Sequence, residues 1–295
     1  MAETSARYQS YDGSELAYRV LGPDPVGDSG TPLIALAGGP GRDAAYLGDL
    51  GGLSADRPLI IPDLRGTGDS RVAGADPSAY AFPRLAEDVE ALRRALGLER
   101  VAVLGHSAAA TLAEAYAARH PERVSHLLLI TPGTRLQARR TDDAERIFRA
   151  RSAESWYEDA VAAVSALDNA RDLAEVRRLL LRAAPATYGE WGPAQQAHAE
   201  AEGGQLNPVP RAAFWQGVDH GTRLTLLDSL RTLAAPVLIV TGERDGLSGV
   251  DAGDEVAVSF PRAQHRTLAG AGHYPWVDRP EAFRALVDAF LATPE

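Results

Sequence analysis

Short apolar runs recur along the 295-residue chain, separated by stretches whose apolar positions return every three or four residues. Leu33–Leu36, Leu59–Ile61, Val101–Leu104, Leu127–Ile130, Val237–Val240 and His265–Leu268 read as strands. Most are apolar throughout rather than alternating, the pattern of strands covered on both faces. Phe82–Leu96, Ser107–Arg119 and Pro280–Leu291 carry helical spacing, and Arg7–Leu21 reads as a hairpin turning at Asp12-Gly13. Strand–helix alternation of this kind predicts an α/β fold, a parallel sheet with helices on both sides.

One long stretch departs from the rhythm. Between about residues 133 and 226 no strand pattern occurs. Helical segments are expected at Asp142–Leu167, Leu173–Ala184 and Ala194–Ala201, interrupted at Pro185, Gly192-Pro193, Gly203-Gly204 and Pro208. The expected organisation is a core of residues 1–133 and 226–295 with an all-helical insertion over 134–225. The chain shows no internal repeat and no low-complexity tract.

Composition narrows the chemistry by what it lacks. There is no Cys, and all 30 basic residues are Arg. Thiolate nucleophiles, Cys-ligated metal centres, lysine Schiff bases and the lysine-dependent phosphate loop are therefore excluded. A net charge of −10 has the wrong sign for a nucleic-acid or anionic-membrane partner. No apolar run is long enough to span a bilayer, and Met1–Gln9 has no apolar signal core, so a cytoplasmic location is expected. The sequence suggests no metal or cofactor and leaves the oligomeric state open.

Candidate chemistry lies where the expected strands end. Val101–Leu104 runs through Gly105-His106-Ser107-Ala108-Ala109 straight into a helix. So sharp a turn holds the central side chain up at the sheet edge, among small neighbours and beside unpaired helix N–H groups. Ser107 is the candidate nucleophile; a plain helix N-cap is its alternative role. A base is offered by His273, in the glycine loop Ala269-Gly270-Ala271-Gly272-His273-Tyr274 after the last strand. The candidate acid is Asp245, just past Val237–Val240, with Glu243 and Asp251 as rivals. Ser107, Asp245 and His273 follow the chain order of nucleophile-elbow hydrolases. Ala37-Gly38-Gly39-Pro40-Gly41 follows another strand; Gly39 N–H, with Gly38 beside it, would pair with Ala108 N–H to hold a developing oxyanion.

These residues together resemble the α/β-hydrolase superfamily over nearly the whole chain. More narrowly, Gly38-Gly39-Pro40-Gly41 and Asp63-Leu64-Arg65-Gly66-Thr67-Gly68-Asp69-Ser70 resemble its prolyl aminopeptidase (proline iminopeptidase) branch. The resemblance implies a mostly parallel eight-stranded sheet, a helical cap after the sixth strand, and a Ser107/His273/Asp245 triad served by Gly39 and Ala108. There are departures from that branch. Ala37 stands where the branch usually has His, Ala109 replaces the last elbow glycine, and no aromatic residue follows Ser107. Gly246 follows Asp245, and none of Glu190, Glu200 and Glu202 fits the glutamate motif by which the branch holds a free amine.

The leading expectation is a cofactor-independent serine hydrolase acting on a small-molecule ester, thioester or amide. Its first alternative is a prolyl aminopeptidase acting on short peptides. Other classes open to the same fold are a biosynthetic lyase, cyclase or acyltransferase, and a non-catalytic ligand receptor. Trp156, Trp191, Trp215 and Trp276 are candidates for an apolar aromatic substrate pocket.

Overall fold

Along the strand Val101–His106, successive side chains enter two different cores: Val101 and Val103 join one apolar cluster, Ala102 and Leu104 the other. The neighbouring strand Leu33–Leu36 divides the same way, Ile34 and Leu36 against Leu33 and Ala35. That division is why these runs are apolar at every position. Each fully buried aliphatic side chain contributes about 1.5–3 kcal/mol of transfer free energy.

The computed structural model describes residues 3–25, 30–72 and 76–294. Its strands are β1 (Glu3–Gln9), β2 (Glu15–Leu21), β3 (Leu33–Leu36), β4 (Leu59–Pro62), β5 (Val101–His106), β6 (Val124–Ile130), β7 (Val237–Gly242) and β8 (Ala263–Leu268). They form one eight-stranded sheet in the order β1-β2-β4-β3-β5-β6-β7-β8. The β1–β2 and β2–β4 pairs are antiparallel and all later pairs parallel, so the sheet is mostly parallel as expected. Strand β6 starts three residues earlier than its apolar run, because Ser125 and His126 are polar yet fully enclosed. One apolar cluster lies under α1 (Phe82–Ala95) and α2 (Ala108–Arg119).

Between β6 and β7 the described elements are helical: α3 (Asp143–Arg149), α4 (Tyr157–Ala166), α5 (Leu173–Ala183), α6 (Pro193–Gln205), α7 (Pro208–Ala213) and α8 (His220–Leu230). The single helix expected over Asp142–Leu167 is broken into α3 and α4. In the break, buried Arg151 turns inward and donates to the Tyr188 carbonyl at 2.6 Å and to the Glu154 carboxylate at 2.8 Å. The expected core boundary at 226 falls inside α8. Leu226 and Leu230 of α8 pack into the α1/α2 cluster. After β7 come α9 (Asp251–Ala257), α10 (Pro275–Asp278) and α11 (Pro280–Leu291); Phe283, Val287, Phe290 and Leu291 of α11 join the cluster on the other face of the sheet.

The Asp63–Ser70 motif is a structural knot. Arg65, almost fully enclosed, meets the Asp88 carboxylate at 2.7 and 3.1 Å and Asp12 at 2.9 Å. Asp63 accepts from Asp69 N–H at 2.9 Å, and Ser70 Oγ accepts from Ala17 N–H at 2.8 Å. The motif therefore ties the hairpin to α1 and leaves the chemistry to other loops.

Glu114, on α2, is fully enclosed, with one carboxylate oxygen accepting from Gln137 at 2.7 Å and the other without a partner among the described residues. Burial pushes its carboxyl up to about 8. A carboxyl that holds its proton more tightly folded than unfolded makes stability fall as pH climbs from its ordinary value, 4.5, to about 8. Glu114→Gln is therefore expected to raise the melting temperature at pH 9 by several degrees and leave it nearly unchanged at pH 4. An equal shift at both pH values would show that the proton has no part in it.

Candidate active site

Chain order reverses between β3 and β5, and ligands of open α/β sheets bind beyond the strand ends at such a point. The register Leu36↔Gly105 then sets the loop after β3 beside the loop after β5, placing Gly38 against Ser107. A Cβ on Gly38 would lie 2.5 Å from the His106 carbonyl oxygen and 3.1 Å from Ser107 Cβ. No residue with a side chain fits there.

Ser107 has φ 55° and ψ −121°, a strained conformation for a residue other than glycine. It is imposed from both sides. Ser107 N–H still pairs with the Ile130 carbonyl of β6 at 2.8 Å, while its own carbonyl accepts from Ala110 N–H at 3.0 Å in the first turn of α2. A Cβ on Gly105 would meet the Ala109 carbonyl at 2.3 Å, so the elbow closes over glycine. Ser107 occupies the N-cap position, but its side chain makes no capping hydrogen bond. The N-cap alternative is thus met by the backbone alone, and Oγ stays available.

The base and acid loops follow β8 and β7. His273 Nδ1 lies 2.9 Å from Asp245 Oδ2, with both residues buried, at 2% and 0% exposure. The other Asp245 oxygen accepts from Leu247 N–H at 2.8 Å and Ser248 N–H at 3.0 Å. With the carboxylate accepting, Nδ1 carries the proton and Nε2 keeps its lone pair. The rivals lie elsewhere: Glu243 accepts from Gly270 N–H at 2.8 Å, and exposed Asp251 meets Arg146 at 3.4 Å. The imidazole is brought to the elbow, its ring centroid 4.9 Å from that of His106, the neighbour of Ser107.

The backbone of His273 is held as firmly as its ring. Its N–H donates to the Thr187 carbonyl at 2.7 Å, and its carbonyl accepts from Thr131 Oγ1 at 3.1 Å and His106 Nε2 at 2.9 Å. Asp278 accepts from both Gly272 N–H and Gly189 N–H at 2.8 Å, fastening the base loop to the insertion. Sequence reasoning missed Thr131, Thr187, Ser248 and Asp278 as site residues. A visible signal existed for Thr131, which directly follows β6, between the strands that carry the nucleophile and the acid.

The loop after β3 is fixed in orientation. The Gly38 carbonyl accepts from Arg42 N–H at 3.3 Å; in a trans peptide the N–H points the opposite way, and here it belongs to Gly39. Arg211 of α7 donates to the Gly39 carbonyl at 2.6 Å. Among the described residues, neither Gly39 N–H nor Ala108 N–H has an acceptor, whereas Gly38 N–H donates to Tyr46 Oη at 2.7 Å. Gly38 therefore supplies close approach, and Gly39 and Ala108 keep the free donors.

Comparison with known proteins agrees with this architecture. The family model for the alpha/beta hydrolase fold matches residues 31–280. The chain belongs to the α/β-hydrolase family. It is 39% identical to a proline iminopeptidase of Heyndrickxia coagulans over 103 residues, a stretch covering 35% of each chain. The structure of the esterase RhEst1 from Rhodococcus sp. ECU1013 superposes with a TM-score of 0.74 at 27% identity, covering 99% of both chains. A proline iminopeptidase from Mycobacterium smegmatis superposes with a TM-score of 0.73, covering 98% of this chain and 97% of its own; at 22% identity it shares the fold alone. Among the described residues, no helix is long and apolar enough to cross a membrane.

The four tryptophans do not form one aromatic wall. Trp276, 5% exposed, stands edge-on to His106 at 4.7 Å, and Trp191 packs on Tyr188 at 5.5 Å. Trp156 lies against Phe148 and Arg151 and donates to Glu154 at 2.8 Å. Trp215 packs on Phe82 at 5.0 Å, in the cluster beneath α1.

Proposed function

We propose that this α/β-hydrolase family member is a cofactor-independent serine hydrolase that cleaves an ester or related acyl bond of a small molecule. The observation carrying this reading is the buried His273–Asp245 hydrogen bond, with the His273 ring centroid 4.9 Å from that of His106, the residue before a strained Ser107 whose side chain makes no capping hydrogen bond. Nε2 of His273 takes the Ser107 proton as Oγ attacks the carbonyl carbon. The developing oxyanion is met by Gly39 N–H and Ala108 N–H, and Asp245 stabilises the imidazolium. His273 then gives the proton to the leaving group, and water attacks the acyl-enzyme by the same route in reverse. The helical insertion would form the cap over the reacting bond, with residues near Thr187 and Gly189 touching the base loop.

An aminopeptidase needs an unpaired carboxylate for the substrate's amine. The glutamates of the insertion offer little of that kind. Glu202 pairs with buried Arg42 at 3.8 Å, Glu190 is exposed and faces Arg279 at 3.7 Å, and Glu200 is exposed. Glu154 is already shared by Arg151, Arg244 and Trp156. Their arrangement favours a neutral acyl substrate over a peptide amine.

The test is a fluorophosphonate probe followed by a matched substrate panel. The protein is expected to label at one site, which peptide mapping assigns to Ser107, and to turn over short- and long-chain aryl esters faster than proline anilide. An unlabelled protein at neutral pH overturns the serine mechanism. Faster proline anilide turnover overturns the ester assignment and leaves the nucleophile in place.

A further inference from the structure

Beyond the reacting groups, the site contains a buried line of hydrogen bonds that crosses it from one side to the other. Gly38 N–H donates to Tyr46 Oη at 2.7 Å, Tyr46 Oη lies 2.7 Å from His106 Nδ1, and His106 Nε2 lies 2.9 Å from the His273 carbonyl. A carbonyl oxygen can only accept, so Nε2 carries the imidazole proton. Burial, with His273 alongside, holds His106 well below its ordinary pKa and therefore neutral. A neutral ring protonated on Nε2 has a bare Nδ1, so Tyr46 must be the donor there. Every polarity in the line is thereby fixed, from the oxyanion loop through the residue before the nucleophile to the base loop.

The packing makes the line stiff. His106 and Tyr46 are both enclosed, at 2% and 4% exposure. The His106 ring lies among Tyr46, Tyr274, Trp276 and His273, with centroids 4.7 to 5.5 Å away. The Arg42 guanidinium lies over the Tyr46 ring, 4.0 Å from its centroid. Unlike the Asp245 contact, which orients the His273 ring, this line fixes its backbone and the peptide of Gly38 relative to each other.

We propose that Tyr46 and His106 form a positioning pair that sets the spacing between the oxyanion donor of Gly39 and the base His273. The proposal rests on the serine-hydrolase reading above. Neither residue is offered as touching substrate: Tyr46 acts through Gly38 and His106 through His273. Misplacing a reacting geometry by about 1 Å costs on the order of 100-fold in rate, a larger effect than the loss of one buried hydrogen bond has on folding.

The test compares wild type, Tyr46→Phe, His106→Gln and the double variant. The readouts are kcat per fluorophosphonate-labelled serine, KM for an aryl ester and the folded fraction. Tyr46→Phe removes one oxygen from the line, and His106→Gln keeps a donor toward the His273 carbonyl while losing the acceptor for Tyr46. Each is expected to lower kcat per labelled site by about 10- to 100-fold with KM within about twofold. The double variant should lose no more than the worse single one, since both cut the same contact. Wild-type kcat per labelled site in Tyr46→Phe, or losses that multiply in the double variant, overturns the positioning pair alone. Failure of the wild type to label overturns it together with the serine mechanism. Should Tyr46→Phe not fold, His106→Gln is judged by the same kcat and KM criteria.

Discussion

Ser107→Ala is expected to lower kcat/KM for an aryl ester by about a million-fold while leaving the melting temperature within a few degrees of wild type. The magnitude is that found when a triad serine is removed from a hydrolase whose oxyanion donors stay in place. Stability should hold because the Ser107 side chain makes no capping bond, and the strained backbone at φ 55° is imposed by Ile130 and by the first turn of α2. Alanine suffers the same backbone strain as serine there. Residual turnover should come from binding and from Gly39 and Ala108, which still stabilise charge on the carbonyl oxygen when water attacks unaided. The measurement is steady-state kinetics on protein purified away from host esterases, with circular dichroism on the same sample. A variant retaining more than about one per cent of wild-type rate would show that Ser107 is not the nucleophile.

Much of the architecture was legible because a doubly covered parallel sheet leaves an unusually plain trace. β3 is apolar at each of its positions, and its extent was readable to the residue. β8 was legible only in part. As an edge strand it keeps several positions exposed, and its first residues look like loop. In the insertion, helix content was readable but the break at Arg151 was not. A charged side chain in a helical pattern suggests a solvated face, yet here it turns inward to a carbonyl supplied from Tyr188. Ser107, Asp245 and His273 each sit just past a parallel strand, and parallel strands end on one edge.

What stayed hidden were the partners of those residues. His106 read as part of the elbow, and nothing local links it to Tyr46, sixty residues earlier, or to the carbonyl of His273. Thr187 binds the base loop through its backbone carbonyl, which leaves no mark on residue type, and the carboxylate of Asp278 reaches backbone N–H groups of two loops that nothing local brings together. The tryptophans illustrate the converse. Residue type suggested a shared pocket; each ring packs against different neighbours, as a large ring is stabilised wherever it fills space.

The second large effect concerns the acid. Asp245→Asn should lower kcat by about ten-thousand-fold with little loss of stability. Asp245 Oδ1 accepts from Leu247 and Ser248, and the amide oxygen of asparagine can keep both bonds. The amide nitrogen then faces His273 Nδ1 in place of a carboxylate oxygen. Two donors cannot share that contact, so Nδ1 must accept and the imidazole proton moves to Nε2. In that tautomer the ring has no lone pair for the Ser107 proton, and the imidazolium loses the carboxylate that offsets its charge. KM should change little, because Asp245 is fully buried behind the histidine. Asp251→Asn is the matched control: its carboxylate is exposed and pairs with Arg146, so turnover should stay within about twofold of wild type. A near-normal rate in Asp245→Asn, with a large loss in Asp251→Asn or Glu243→Gln, would move the acid to that residue and break the link between the His273 contact and catalysis.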